Sequence, residues 1–483
     1  MAGAGGCVAV ALSGVLLAAQ AAAAAGGSWF TDVTATAAVP SLKYGEGVNI
    51  VDLNADGLPE IFLPVPRGRC RLLVNRGGFA FDDGTAAKGL ESAVGIGAVV
   101  WDLDGDGRPD VYVVRGEHVP GANGVYLQRA DGTFVERGAQ LGAPGRKNGI
   151  SALALDADRD GAADLFVAGW SGNVLYRGDK RGGGGSFTEA ADAGLGPAAK
   201  CWGAVSTDFD GDGWPDVVAA CGARGLPQGA RLYRNRGNGT FEDWTARSGV
   251  TGIDWAIGVV AADFHGQGRS DLLFTNLDGP DRLFRNDGGG RFTDVTAASG
   301  LASGRSVGAT AGDVDGDLLT DLVVAGFAGP ARVLRNLGGG RFADVTGVTG
   351  LGGQTRNDGI ALADLDGDGD LDLYVTNFEG RNRLYRNELG GARALKVRVP
   401  AGAASVGAVA RIYRAGSAGK PEALLATREL QTGYGVCSQG PAELVFHLPA
   451  GVACDLSVTW PDGTVATTPG VKPGTLTLAP AQR

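Results

Sequence analysis

The sequence predicts an all-β protein: a seven-bladed β-propeller over residues 26–391, followed by a small β-rich C-terminal domain over 392–483. Three observations predict it. An acidic nine-residue stretch returns seven times, at intervals of about 50 residues, and self-similarity at such a period signals repeat architecture. The same β-branched and glycine-punctuated flanks return with it. Nowhere does an apolar period of 3.6 residues persist, which argues against helices.

Residues 1–25, MAGAGGCVAVALSGVLLAAQAAAAA, hold no charged side chain, and an apolar run from Cys7 to Ala18 leads into small residues. That is the shape of a secretory signal peptide, although it lacks a leading Lys or Arg. The run is short and weakly hydrophobic for a membrane-spanning helix. Export implies an oxidising compartment. Among the six cysteines, Cys201 with Cys221 and Cys437 with Cys454 suit disulfides or buried free thiols, and Cys70 is left over.

Each unit reads as four short strands. A small-residue segment such as GAVVWD or GIALAD runs into the acidic loop, and a β-branched segment such as VYVV or LYVT leaves it. Then comes LYRN or a relative, and last a glycine turn with F-x-D-x-T. Seven such units suit a closed ring. The chain opens with WFTDVT at 29–34, an outer-strand segment without inner strands, and the last unit ends at RLYRNE without one. Residues 29–34 are therefore expected to complete the blade begun near Asp358, which would leave no open edge.

The acidic loops pose an electrostatic problem with one simple solution. Carboxylates this crowded repel each other unless a cation sits among them. Hard cations such as Ca²⁺ take six to eight oxygens, and a nine-residue loop presents side-chain oxygens at positions 1, 3, 5 and 9. The expected ligands are Asp52, Asn54, Asp56 and Glu60; Asp102, Asp104, Asp106 and Asp110; Asp156, Asp158, Asp160 and Asp164; Asp208, Asp210, Asp212 and Asp216; Asp313, Asp315, Asp317 and Asp321; and Asp364, Asp366, Asp368 and Asp372. That makes about five or six Ca²⁺ sites. The first loop departs through Asn54 and Glu60. The sixth has Leu318 where a glycine belongs, so it is expected to be distorted or weak. The fifth has His265 and Gln267 in place of two acids and is expected to hold little or no ion.

The net charge of −10 argues against nucleic acid or an anionic membrane surface as partner. These loops hold about half of the 53 acidic residues, so the acidity is largely a property of the metal sites.

The repeats resemble the FG-GAP/VCBS repeats of integrin α-subunit propellers, where the same loop binds Ca²⁺ between the first two strands of a blade. The tail, through VGAVARIY (406–413), TGYGVCSQ (432–439) and VTWPDG (458–463), resembles the ASPIC/UnbV domain. The combination is similar to the cartilage acidic protein family, which implies a secreted, adhesive or matrix-associated protein. VFHLPAG stands where that family has an HFGLG-like segment, and no EGF-like module follows. Tyr434 and Trp460 are expected in the core of the tail.

The function expected is a secreted, monomeric, Ca²⁺-stabilised module. It would bind an extracellular protein or glycan through loops on one face, since rigid scaffolds with variable loops suit recognition. The alternative is a polysaccharide lyase or hydrolase working at that face. The three histidines, His118, His265 and His447, lie in no metal or nucleophile motif, and neither G-x-S-x-G nor H-E-x-x-H occurs. RGD at 177–179 falls where other repeats read RNR or RND. NGT at 238–240 is a glycosylation acceptor in an expected turn. Trp101, Trp170, Trp202, Trp214 and Trp255 are expected mostly between blades.

Overall fold

Why seven repeats of one pattern close on themselves is visible in the computed structural model. It describes residues 28–480 apart from 41, 43–44, 117–120, 143–144, 146–147, 180–184, 198, 226–228, 302–303 and 353–355. The leader at 1–25, Cys7 and His118 lie outside the described residues. Among the described residues, no helix is long and apolar enough to cross a membrane.

Seven four-stranded antiparallel sheets follow the seven units, each built in chain order except the last. In that sheet Phe30–Asp32 pairs with Arg383–Asn387, Phe30 opposite Asn387 and Asp32 opposite Tyr385. The N-terminal segment therefore completes the unit that holds Asp358, as the sequence predicts. The first strands of successive sheets pack side by side, and Asn357–Ala363 returns to Asn49–Val51, so the series closes. Gly350 shows how tightly: a side chain there would strike the carbonyl of Phe30, and its φ is +80°. Only glycine meets both demands cheaply.

F-x-D-x-T now has a mechanical reading. The phenylalanines at this position, Phe30, Phe81, Phe134, Phe187, Phe241, Phe292 and Phe342, are all buried, although the second and third units read FVERG and FTEAA and lack the aspartate and threonine. Burying each such ring contributes ~2–3 kcal/mol. The aspartate accepts the N–H of the threonine, as Asp243 does from Thr245 at 3.0 Å. The threonine hydroxyl accepts an N–H from the first half of the third strand, as Thr245 does from Leu232 at 3.0 Å. The motif thus ties the outer strand to its neighbour beyond the ladder.

The tail adds two sheets. Ala394–Arg398 lies between Glu443–His447 (antiparallel) and Gly474–Thr477 (parallel). Leu424–Glu429, Val409–Arg414, Cys454–Thr459 and Val465–Val471 form the other. Its apolar residues, among them Leu395, Ile412, Phe446 and Trp460, share one continuous core with Leu153 and Leu155 of the third unit.

Residues 432–439 reach all seven first strands. Gln439 accepts from Ile50 N at 3.0 Å, and its amide exchanges two 2.8 Å hydrogen bonds with the backbone of Val100. Thr432 donates to Ala154 O at 2.5 Å. Gly435 donates to Val259 O at 2.8 Å, and a side chain at Gly203 would strike the Gly435 carbonyl. Tyr434 bonds Thr310 and the backbone of Leu362. A segment that touches every inner strand of a closed ring lies on its axis. The small residues before each acidic loop are therefore the walls of a channel that this segment fills.

Cys201 and Cys221 are disulfide-bonded across adjacent strands. Cys437 and Cys454 are not bonded to each other; both are buried free thiols, as is Cys70. The expected second disulfide is corrected: Cys437 belongs to the channel segment and bonds Ile150 O, whereas Cys454 starts a strand of the tail. Trp101 and Trp460 are buried, and Trp170, Trp202 and Trp255 are half-buried in one aromatic row.

Candidate metal centres

Each acidic loop folds on its own carboxylates. The first residue accepts the N–H of the sixth in all seven loops, from Gly57 on Asp52 at 2.9 Å to Gly369 on Asp364 at 3.0 Å. The ninth accepts the N–H of the second in all seven, at 2.8–3.1 Å. The sixth residue always has φ between +74° and +99°. Glycine takes that conformation freely, and in the sixth loop Leu318 takes it at 74°. Leu318 is buried in the core shared with the tail, and that packing offsets its backbone strain of ~1–2 kcal/mol.

These bonds leave other oxygens facing one another. In five loops the first, third and ninth carboxylates lie within 4.8 Å of one another: Asp102, Asp104, Asp110; Asp156, Asp158, Asp164; Asp208, Asp210, Asp216; Asp313, Asp315, Asp321; and Asp364, Asp366, Asp372. The fifth-position aspartates, Asp106, Asp160, Asp212, Asp317 and Asp368, stand outside these trios. Each accepts the N–H of the seventh residue instead, at 2.7–3.1 Å. The sixth loop keeps its trio despite Leu318.

Two loops differ. In the first, Asn54 is an amide, and it donates to Glu60 at 3.2 Å. In the fifth, the His265 ring hydrogen-bonds Asp271 at 2.7 Å and lies against Gly340. The imidazole stands where the third carboxylate stands in other loops, and no trio forms there.

Burial makes the ninth-position acid of every trio costly as an anion, whereas at Asp313 the raising effect of burial is outweighed by the His447 contact, which holds it below the usual range. Burial pushes Asp110 up to about 8, and Asp164 and Asp208 to about 7, with Glu429 adding to the shift at Asp208. Asp156 rises to about 6, and Asp216, Asp321 and Asp372 go well above the usual range. Asp52 Oδ1, Asp156 Oδ1 and Asp315 Oδ1 are buried with no hydrogen-bond donor. A buried acceptor left unpaired costs ~1–3 kcal/mol. An all-oxygen donor set with unpaired inward oxygens fits a hard divalent cation.

Two groups of residues were not singled out from the sequence. The first is the asparagine of LYRN. Asn286 donates to Phe209 O of the preceding unit and to Ser270 O, both at 3.0 Å. Asn75, Asn235, Asn336 and Asn387 make the same pair of bonds. Its recurrence in the repeat was the available signal. In the third unit Gly178 holds this position, where a side chain would strike Ala163 O. RGD is therefore part of the regular strand Val174–Asp179, with Arg177 donating to Gly239 O at 2.8 Å. The second group is polar residues of the tail that meet the loops. Lys396 reaches Asp364 at 2.6 Å, His447 reaches Asp313 at 2.9 Å, and Arg398 reaches Gly57 O at 3.0 Å. The tail thus covers the face that carries the acidic loops.

A nine-residue acidic loop between the first two strands of each of the seven repeat sheets, five of them with a carboxylate trio, defines a class of β-repeat protein. The FG-GAP-like repeat model matches residues 52–113, 102–167, 156–219, 208–274, 263–324 and 313–375, and the chain belongs to this family. It is also similar to Cartilage acidic protein 1 of Xenopus tropicalis, 27% identical over 414 residues, covering 77% of this chain and 62% of that one. The human protein of that name is 26% identical over 295 residues, covering 53% and 43%. The chain thus spans less than two thirds of the length of these relatives. Among solved structures, Saccharomyces cerevisiae Sqt1 aligns with a TM-score of 0.47 at 12% identity, over 74% of this chain and 97% of that one.

Proposed function

We propose that the chain is a secreted, calcium-stabilised seven-bladed propeller that serves as a binding module for an extracellular protein or glycan. Residues 26–391 form the propeller and 392–483 the capping domain. The observation that carries this reading is the recurrence of one carboxylate trio in five loops of identical fold. Extracellular calcium modules work at ~0.1–1 mM. At ~1 mM free ion, each site with a Kd of ~0.1 mM stabilises the fold by ~1.4 kcal/mol. The leader-like residues 1–25 and the Cys201–Cys221 disulfide support export.

The tail covers the loop face, which directs the partner to the opposite one. There the half-buried Trp170, Trp202 and Trp255 lie in a row, with ring centroids 4.9 and 6.4 Å apart. Aromatic side chains of this kind dominate recognition surfaces. A catalytic site inside the channel would have to share it with residues 432–439, so we read the chain as a binder. The test is capture from extracellular extract and on a glycan array, with calcium and with chelator. Calcium-dependent capture of a defined ligand supports the reading; no capture in either condition refutes it.

A further inference from the structure

Three of the five carboxylate trios are touched by a cation of the protein itself. Arg335 pairs with Asp315, and with Asp317 at 3.1 Å. The Arg335 and Asp315 side chains are 10% and 3% exposed, so this pair is shielded from solvent. Lys396, from the tail strand Ala394–Arg398, lies 2.6 Å from Asp364, whose side chain is 1% exposed. Arg234 pairs with Asp210, and with Asp212 at 2.5 Å. The other two trios differ. Arg108 pairs with Asp106, which lies outside its trio, and its charge reaches Asp104 within it. Among the described residues, no ion pair reaches Asp156, Asp158 or Asp164.

We propose that Arg234, Arg335 and Lys396 are built-in counter-ions that grade the calcium affinities of the loops. The inference rests on the calcium reading above. A fixed positive charge on a ligand carboxylate relieves the repulsion among the acids and equally repels an arriving divalent ion. Even at the dielectric constant of water, a single and a double charge about 6 Å apart repel by a factor of about ten in affinity. The loop of Asp156 is thus the tight site, and those of Asp208, Asp313 and Asp364 the weaker ones, with that of Asp102, where Arg108 stands at the edge, between them. For Asp364 the counter-ion comes from the tail, so ion binding there opposes the Lys396 contact, and the coupling is reciprocal.

The test is calorimetric calcium titration of the stripped full-length chain, with melting curves in EGTA and in millimolar calcium. Wild type is expected to show a tight class and a weak class. Lys396→Met is expected to tighten one weak site by at least about tenfold. It should also melt lower than wild type in EGTA, with the difference shrinking in calcium. Lys396→Arg should restore wild-type behaviour. A lysine with a merely structural role would lower both melting curves equally. Should Lys396→Met fail to fold, Arg234→Met, at a partly exposed side chain, is expected to tighten its own site in the same way. Unchanged or weakened affinity, or equal loss of melting temperature in both conditions, overturns the proposal. A single affinity class in wild type overturns the grading alone, whereas a wild type that binds no calcium overturns the calcium reading and the grading with it.

Discussion

Asn286→Ala isolates the stitching between neighbouring units. Asn286 is 1% exposed. Its side chain donates at 3.0 Å to Phe209 O and to Ser270 O, and accepts from Gly288 N at 2.8 Å. Alanine removes all three bonds. At a net ~1 kcal/mol each the loss is ~3 kcal/mol, rising toward ~5 kcal/mol because two buried carbonyls stay without a donor. The adjacent Arg285 makes only a half-exposed pair with Asp287 at 2.8 Å, so Arg285→Ala should cost under ~0.5 kcal/mol. Urea unfolding in saturating calcium measures both. A loss below ~1 kcal/mol for Asn286→Ala would show that the repeated asparagine does not hold the ring together.

The other predictions follow from the channel, the fifth loop and the buried acids. Gly203→Val places a side chain against the Gly435 carbonyl, so it should unseat residues 432–439 and expose Cys437 to maleimide; an unlabelled, equally stable variant would contradict the channel assignment. His265→Asp with Gln267→Asp restores the missing acids and should add one bound calcium per chain by metal analysis. In EGTA, stability should depend on pH with a definite sign. Burial raises Asp110 and Asp370 to about 8 and Glu60 and Asp317 to about 7, above the unfolded value near 4. Their contribution is fully present below pH ~4 and is lost progressively as pH rises through about 7–8. Chelated protein should therefore melt higher at pH 5.5 than at pH 8, and calcium should flatten that slope; a chelated protein equally stable at both would refute the burial argument.

Much of this was written in the sequence because repetition turns weak local signals into strong ones. WFTDVT at the start and RLYRNE at the end are each ambiguous alone, yet together they give the closing pair Phe30–Asn387. Leu318 in the glycine position revealed a left-handed residue but not the tail core that tolerates it, since that core forms only when distant segments meet. The channel segment was invisible for the same reason. TGYGVCSQ carries no period, and its partners lie from Ile50 to Leu362. The pairing of Cys437 with Cys454 went wrong because closeness in sequence says nothing about which sheet a thiol faces.

The most direct test of the account is metal analysis of protein purified without chelator, paired with melting in EGTA. One calcium for each of the five trios, with stability falling by ~7 kcal/mol on chelation for an average Kd of ~0.1 mM, is the expected result. Protein that carries no divalent ion and melts identically with EGTA would mean that the clustered aspartates are held together by something other than a bound metal ion.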